Sequence, residues 1–104
     1  MSSRVHADRQ MSLSLPDEGH DRRARAERDQ AEASMNTALR LLALGKCSKM
    51  VHEHVDKAIS SVQRLYVHLQ SFVGTPPEEL VSDYLAMRLA VAKIHRRFSD
   101  MCMR

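Results

Sequence analysis

The sequence predicts an all-α fold: an antiparallel helical hairpin or a three-helix coiled-coil-like bundle, preceded by a disordered N-terminal tail. Three observations carry this. Apolar residues recur in alternating steps of three and four from Ser34 to Phe72, and again from Leu80 to Met101. Glycine and proline number only 3 each in 104 residues, too few for the turns of an all-β domain. One strong stop-and-start signal, Gly74-Thr75-Pro76-Pro77-Glu78, separates the two periodic segments. The length suits a single small domain, divided here into a tail over 1–20 and a bundle over 21–104, with helices expected near 22–44, 48–72 and 77–102.

Residues 1–20 contain Ser2, Ser3, Ser12, Ser14, Pro16 and Gly19 and hold no sustained period, which reads as a flexible tail. The next stretch, Asp21 to Ser34, is rich in Arg, Ala, Glu and Gln, all strong helix formers. It lacks large apolar residues and is therefore expected as a solvated helical lead-in. Its arginines are offset by Asp21, Glu27, Asp29 and Glu32, and Arg25–Asp29 and Arg28–Glu32 have the spacing of ion pairs along one helix.

In the central segment the row Ser34, Thr37, Leu41, Leu44, Ser48, Val51, Val55, Ala58, Val62, Leu65, Leu69 and Phe72 reads as a helical seam. A flanking row through Ala38, Ile59 and Tyr66 widens it to a face that suits two neighbours. Gly45 leaves two alternatives open. The order Leu44-Gly45-Lys46-Cys47-Ser48 fits a helix end, a turn and a new N-cap, giving three helices. The uninterrupted heptad phase instead fits one continuous helix of about fifty residues, in which a lone glycine costs about 1 kcal/mol.

At the later boundary, Gly74 suits a left-handed helix end, and Thr75-x-x-Glu78 has the form of a capping box with proline at the first helical position. The last helix places Leu80, Tyr84, Met87, Val91, Ile94, Phe98 and Met101 inward and Asp83, Lys93, Arg97 and Asp100 toward solvent. Being joined by a tight turn, the last two helices are expected to pack antiparallel.

The run Ala38-x-x-Leu41-Leu42-Ala43-x-Gly45-Lys46, followed by Asp56-Lys57-Ala58-Ile59, resembles the helix–turn–helix signature of tetratricopeptide repeats and of the microtubule-interacting-and-transport domain. The likeness covers some twenty residues, and the pattern has no second copy, so a repeat solenoid is excluded. Cys47 stands where those families place an aromatic, and Met50 where they place a small residue. The resemblance implies a three-helix bundle that binds a partner's amphipathic helix in a groove.

The chemistry-bearing residues do not assemble into a catalytic pattern. His52 and His54 lie about 200° apart around a helix, and Cys47, His54, Ser61 and His68 are spaced about 10 Å apart along one, too far to share a metal ion. Isolated glycines make no phosphate loop, and nothing in the pattern supplies an oxyanion hole. The chain is therefore expected to be non-enzymatic, with no cofactor, metal or small-molecule substrate. Cys47 and Cys102 are expected as half-buried thiols in a reducing compartment, cytoplasmic or nuclear. No apolar stretch approaches the roughly 20 residues needed to span a bilayer, and polar residues interrupt the N-terminus where a signal peptide's apolar core would lie.

Three candidate sites remain. Met35, Leu39 and Leu42 lie off the main seam and are expected to dock a partner helix or a second copy. Lys93, Arg96, Arg97 and Arg104 form a basic C-terminal set suited to an anion, nucleic acid or anionic membrane. Arg96-Arg97-Phe98-Ser99 matches a basophilic kinase consensus, which makes Ser99 a candidate phosphorylation site. The function that fits best is a helical adaptor or structural subunit of a hetero-oligomeric complex, of the trafficking, cytoskeletal or kinetochore-scaffold type, partnered by other helical proteins. A basic module acting through the last helix is the alternative.

Overall fold

The structure, a computed structural model, describes the backbone over residues 2–103 and side chains over residues 17–103. Three helices follow one another: α1 Ser2–Ala43, α2 Lys49–Gln70 and α3 Glu78–Cys102. The expectation of a flexible tail over 1–16 falls outside the residues whose side chains are described. Its last part is corrected: residues 17–20 belong to α1 and touch the rest of the molecule.

Gly45 breaks the helix. It takes φ +73°, its N–H donates to the Leu42 carbonyl at 2.9 Å, and the Lys46 N–H donates to the Leu41 carbonyl at 3.0 Å. This pair of bonds is a Schellman closure, which needs one left-handed residue. The continuous-helix alternative is thereby excluded, and the chain turns back at residues 44–48.

Cross-helix contacts fix the directions. Glu27 meets Arg64, and His20 meets His68, so α1 and α2 run antiparallel. Tyr66 stacks on Tyr84 and His52 lies against Phe98, so α2 and α3 do too. Arg25 pairs with Glu79 and Arg28 with Asp83, which sets α3 parallel to α1.

The core is as expected along α2, where Val51, Val55, Ala58, Val62, Leu65 and Leu69 are buried, and along α3 as far as Phe98, where Leu80, Met87, Val91, Ile94 and Phe98 are. Met101, expected inward, is exposed because it stands in the last turn of α3 at the end of the bundle. Along α1 the seam is displaced. The buried row is Ala24, Ala31, Ser34, Met35, Ala38 and Leu42; of the expected positions Ser34 is buried, Thr37 and Leu41 are half-buried, and Leu44 is 66% exposed. The break at Gly45 resets the phase, so the α2 row does not extend backward into α1. Ala24 and Ala31 are fully buried, and α1 packs through small side chains where a solvated lead-in was expected.

Two helix ends also differ from expectation. α2 stops at Gln70, and Gly74 is not left-handed. Instead the Val73 and Gly74 N–H groups donate to the two carboxylate oxygens of Asp17 at 2.7 and 2.9 Å. A Cβ on Gly74 would lie 3.1 Å from Asp17 Oδ2, so the bare backbone is what lets the carboxylate approach. The capping box does not form: α3 begins at Glu78 with no side-chain cap, and the Pro77 carbonyl accepts from the Leu80 and Val81 N–H groups.

The cysteines give the largest correction. Cys47 and Cys102 are joined by a disulfide, with Cα atoms 5.3 Å apart. The parallel course of α1 and α3 brings the end of α3 beside the α1–α2 turn, and so brings residue 102 to residue 47. The free-thiol reading fails because 55 residues of sequence separate them, and only the three-dimensional path closes that gap.

Candidate partner-binding surface

Of the trio expected to dock a partner, Met35 and Leu42 are 6% and 1% exposed and belong to the core. Only Leu39 is exposed. The correction follows from the seam displacement: residues that look lateral when the phase is carried through Gly45 point inward once it is reset. Apolar surface lies elsewhere. At the disulfide end, Leu44 and Met50 lie within three residues of Cys47, and Met101 and Met103 flank Cys102. All four are exposed. The bond between Cys47 and Cys102 gathers them at one end of the bundle. On the outer face of α3, Val81, Leu85 and Leu89 are exposed as well, a row that the sequence reading passed over in favour of the neighbouring charges.

Among the basic set, Lys93, Arg96 and Arg97 are exposed on α3, and Arg104 lies outside the described residues. At 100° per residue the spacing i, i+3, i+4 sets the three on one face of α3, within an arc of about 100°, and Asp100 falls on the same face between them. Ser99 is half-buried, and its carbonyl accepts the Met103 N–H at 3.1 Å. The arginines of α1 do not make the expected Arg25–Asp29 and Arg28–Glu32 pairs. Arg25 bridges Asp21 and Glu79, and Arg28 reaches Asp83 at 3.2 Å. The charges of the lead-in therefore tie α1 to α3.

The histidines separate as their spacing implies. His52 faces Phe98 and lies 3.5 Å from Asp56, whereas His54 lines a shallow hollow with Gln30, Ser34, Thr37 and Lys57. Among the described residues no three potential ligands converge on a metal position. The sequence reading missed the pair His20 and His68, whose Nδ1 atoms are 3.2 Å apart between α1 and α2. Burial lowers the His68 pKa below the usual imidazole value, and the charge of His20 lowers it further. One ring must then donate and the other accept, so both are not protonated together in this arrangement. Asp17 is held below the usual carboxylate range by the two backbone N–H groups it accepts. A broad, open depression on α2 is lined by Glu53, Asp56, Lys57, Ser60 and Arg64, side chains of both charges.

No protein-family model, curated protein or solved structure matches the chain. No described helix is long and apolar enough to cross a membrane.

Proposed function

We propose that the protein is a non-enzymatic helical adaptor or structural subunit of a hetero-oligomeric complex, working by helix–helix packing. The observation that supports this reading is the apolar cluster at the disulfide end, with Leu44 66%, Met50 57%, Met101 40% and Met103 66% exposed. Exposed apolar side chains gathered at one end of a folded domain mark interaction surfaces. Three of the four are methionines, whose unbranched thioether chains repack against differing partners. A partner's amphipathic helix laid across this end is the mode implied by the resemblance to the microtubule-interacting-and-transport domain. A trafficking, cytoskeletal or kinetochore-type scaffold is the setting in which such modules serve.

The alternative is a basic module for nucleic acid or an anionic membrane, using Lys93, Arg96, Arg97 and Arg104. It is the weaker reading because Asp100 lies among the three described cations on the same face of α3 and offsets part of their charge.

The test is affinity isolation with the full-length oxidised chain beside a variant carrying Leu44→Ser, Met50→Ser and Met103→Ser, with circular dichroism confirming that both are folded. Protein partners recovered by the native chain should fall about tenfold with the variant, the loss expected from removing roughly 1.4 kcal/mol of apolar contact. Equal recovery by both chains would rule this surface out. Recovery of nucleic acid or lipid that vanishes with moderate salt would favour the basic module.

A further inference from the structure

Helix α3 carries two heptad rows. The inner row, which includes Leu80, Met87, Val91, Ile94 and Phe98, is packed in the bundle. On the other side, Glu78, Ser82, Leu85, Leu89, Ala92 and Arg96 follow one another in steps of four and three, and all six are exposed. Leu85 is 52% and Leu89 66% exposed, with Val81 alongside at 36%. Such spacing forms a continuous seam on one face of a helix.

The outer row is self-complementary when reversed. It has an acid at one end and a base at the other, a small residue next to each, and two leucines in the middle. We propose that this row is the docking surface for a second copy of the chain, with the two α3 helices antiparallel about a two-fold axis at the level of Met87. Each Leu85 then packs on the second copy's Leu89, each Ser82 faces Ala92, and each Glu78 meets Arg96. The small residues at Ser82 and Ala92 let the helices come close, and Val81 covers the flank.

Charge complementarity selects both the occupant and the direction. A parallel pairing sets Glu78 against Glu78 and Arg96 against Arg96, which repels. A helix from another protein imposes no reversal symmetry on this face, whereas a two-fold contact requires it, since the same patch serves on both sides. Arg88, beside the axis, has a long stem that carries its charge outward to solvent. With two leucines from each chain the seam is short, so the dimer is a weak one. This surface is separate from the disulfide-end cluster, and the inference goes beyond the adaptor reading without resting on it.

Sedimentation equilibrium of the full oxidised chain over a range of concentrations tests it, with circular dichroism melts confirming that each variant is folded. The native chain should show a monomer–dimer equilibrium, and Leu85→Gln with Leu89→Gln should raise its Kd at least about tenfold. Glu78→Arg alone and Arg96→Glu alone should each weaken the dimer several-fold. The two together should restore it to within about twofold, because the swapped charges face each other again. A chain that stays monomeric to about 1 mM overturns the proposal. So does a dimer indifferent to the leucine changes, or a double swap no tighter than the single ones.

Discussion

The Asp17 carboxylate ties α1 to the α2–α3 loop, because it accepts from two successive loop N–H groups that would otherwise be left to water. The sequence offers no local cue for this contact, since 56 residues separate Asp17 from Val73. The His20–His68 pair is equally long in range, and it makes the bundle sensitive to mild acid. An unfolded imidazole takes up a proton near pH 6.5, while the folded His68 resists it through burial and through His20. Unfolding therefore gains protons as the pH falls: the His68 contribution is complete above about pH 6.5 and declines below it. Thermal melts between pH 7.5 and 5.5 should show the midpoint falling, and His68→Gln should flatten that slope. An equal slope in the variant would place the sensitivity elsewhere. The lowered Asp17 pKa acts in a second window, with its stabilisation present above the usual carboxylate value and lost in stronger acid.

At the level of the helices, the sequence was most legible where large apolar residues mark a face. The inner rows of α2 and, as far as Phe98, of α3 stand where their period puts them, because Val, Leu, Ile and Phe bury enough surface to decide the rotation of a helix. In α1 the deciding residues are Ala24, Ala31 and Ala38, fully buried, and alanine is as common on a solvated helix as in a close-packed one. Period counting thus gave α1 the wrong phase, and with it the wrong place for Met35 and Leu42. The outer row of α3 was overlooked for a related reason: its ends are charged and only its middle is apolar, so it reads as solvent face until its exposure is seen. Gly45 is the hinge of the whole arrangement. A Cβ there meets nothing within 4 Å, so the conformation, φ +73°, is the only obstacle to a side chain. Gly45→Ala should lower stability by about 1 kcal/mol, the cost of a left-handed alanine, as read from chemical denaturation; Gly45→Asn should cost less, because asparagine tolerates that region better. A neutral alanine variant would show that the turn has another way to close.

For the molecule as a whole, the Cys47–Cys102 bond removes the argument for a reducing compartment that two free thiols supplied. In the chain-entropy picture, a cross-link across 55 residues stabilises the fold by about 4 kcal/mol, a large share for so small a domain. Addition of a thiol reductant should lower the melting temperature of the native chain to that of Cys102→Ser and leave the variant unmoved. A native chain whose melting temperature ignores the reductant would show that the bond contributes nothing to stability.

The position of that bond also determines where a mechanical load runs. Tension applied between the two ends of the chain enters through α1, crosses from residue 47 to residue 102 by the covalent link, and leaves without passing through α2 or α3. The last two helices form a loop shielded from the load, about 190 Å of chain if fully drawn out. That slack is released only when the sulfurs part. With the link intact, α1 alone bears the strain, held to its neighbours by buried alanines and by Arg25, Arg28 and Glu27. A pull at the ends therefore draws this helix out along its own axis and leaves a covalently closed hairpin behind.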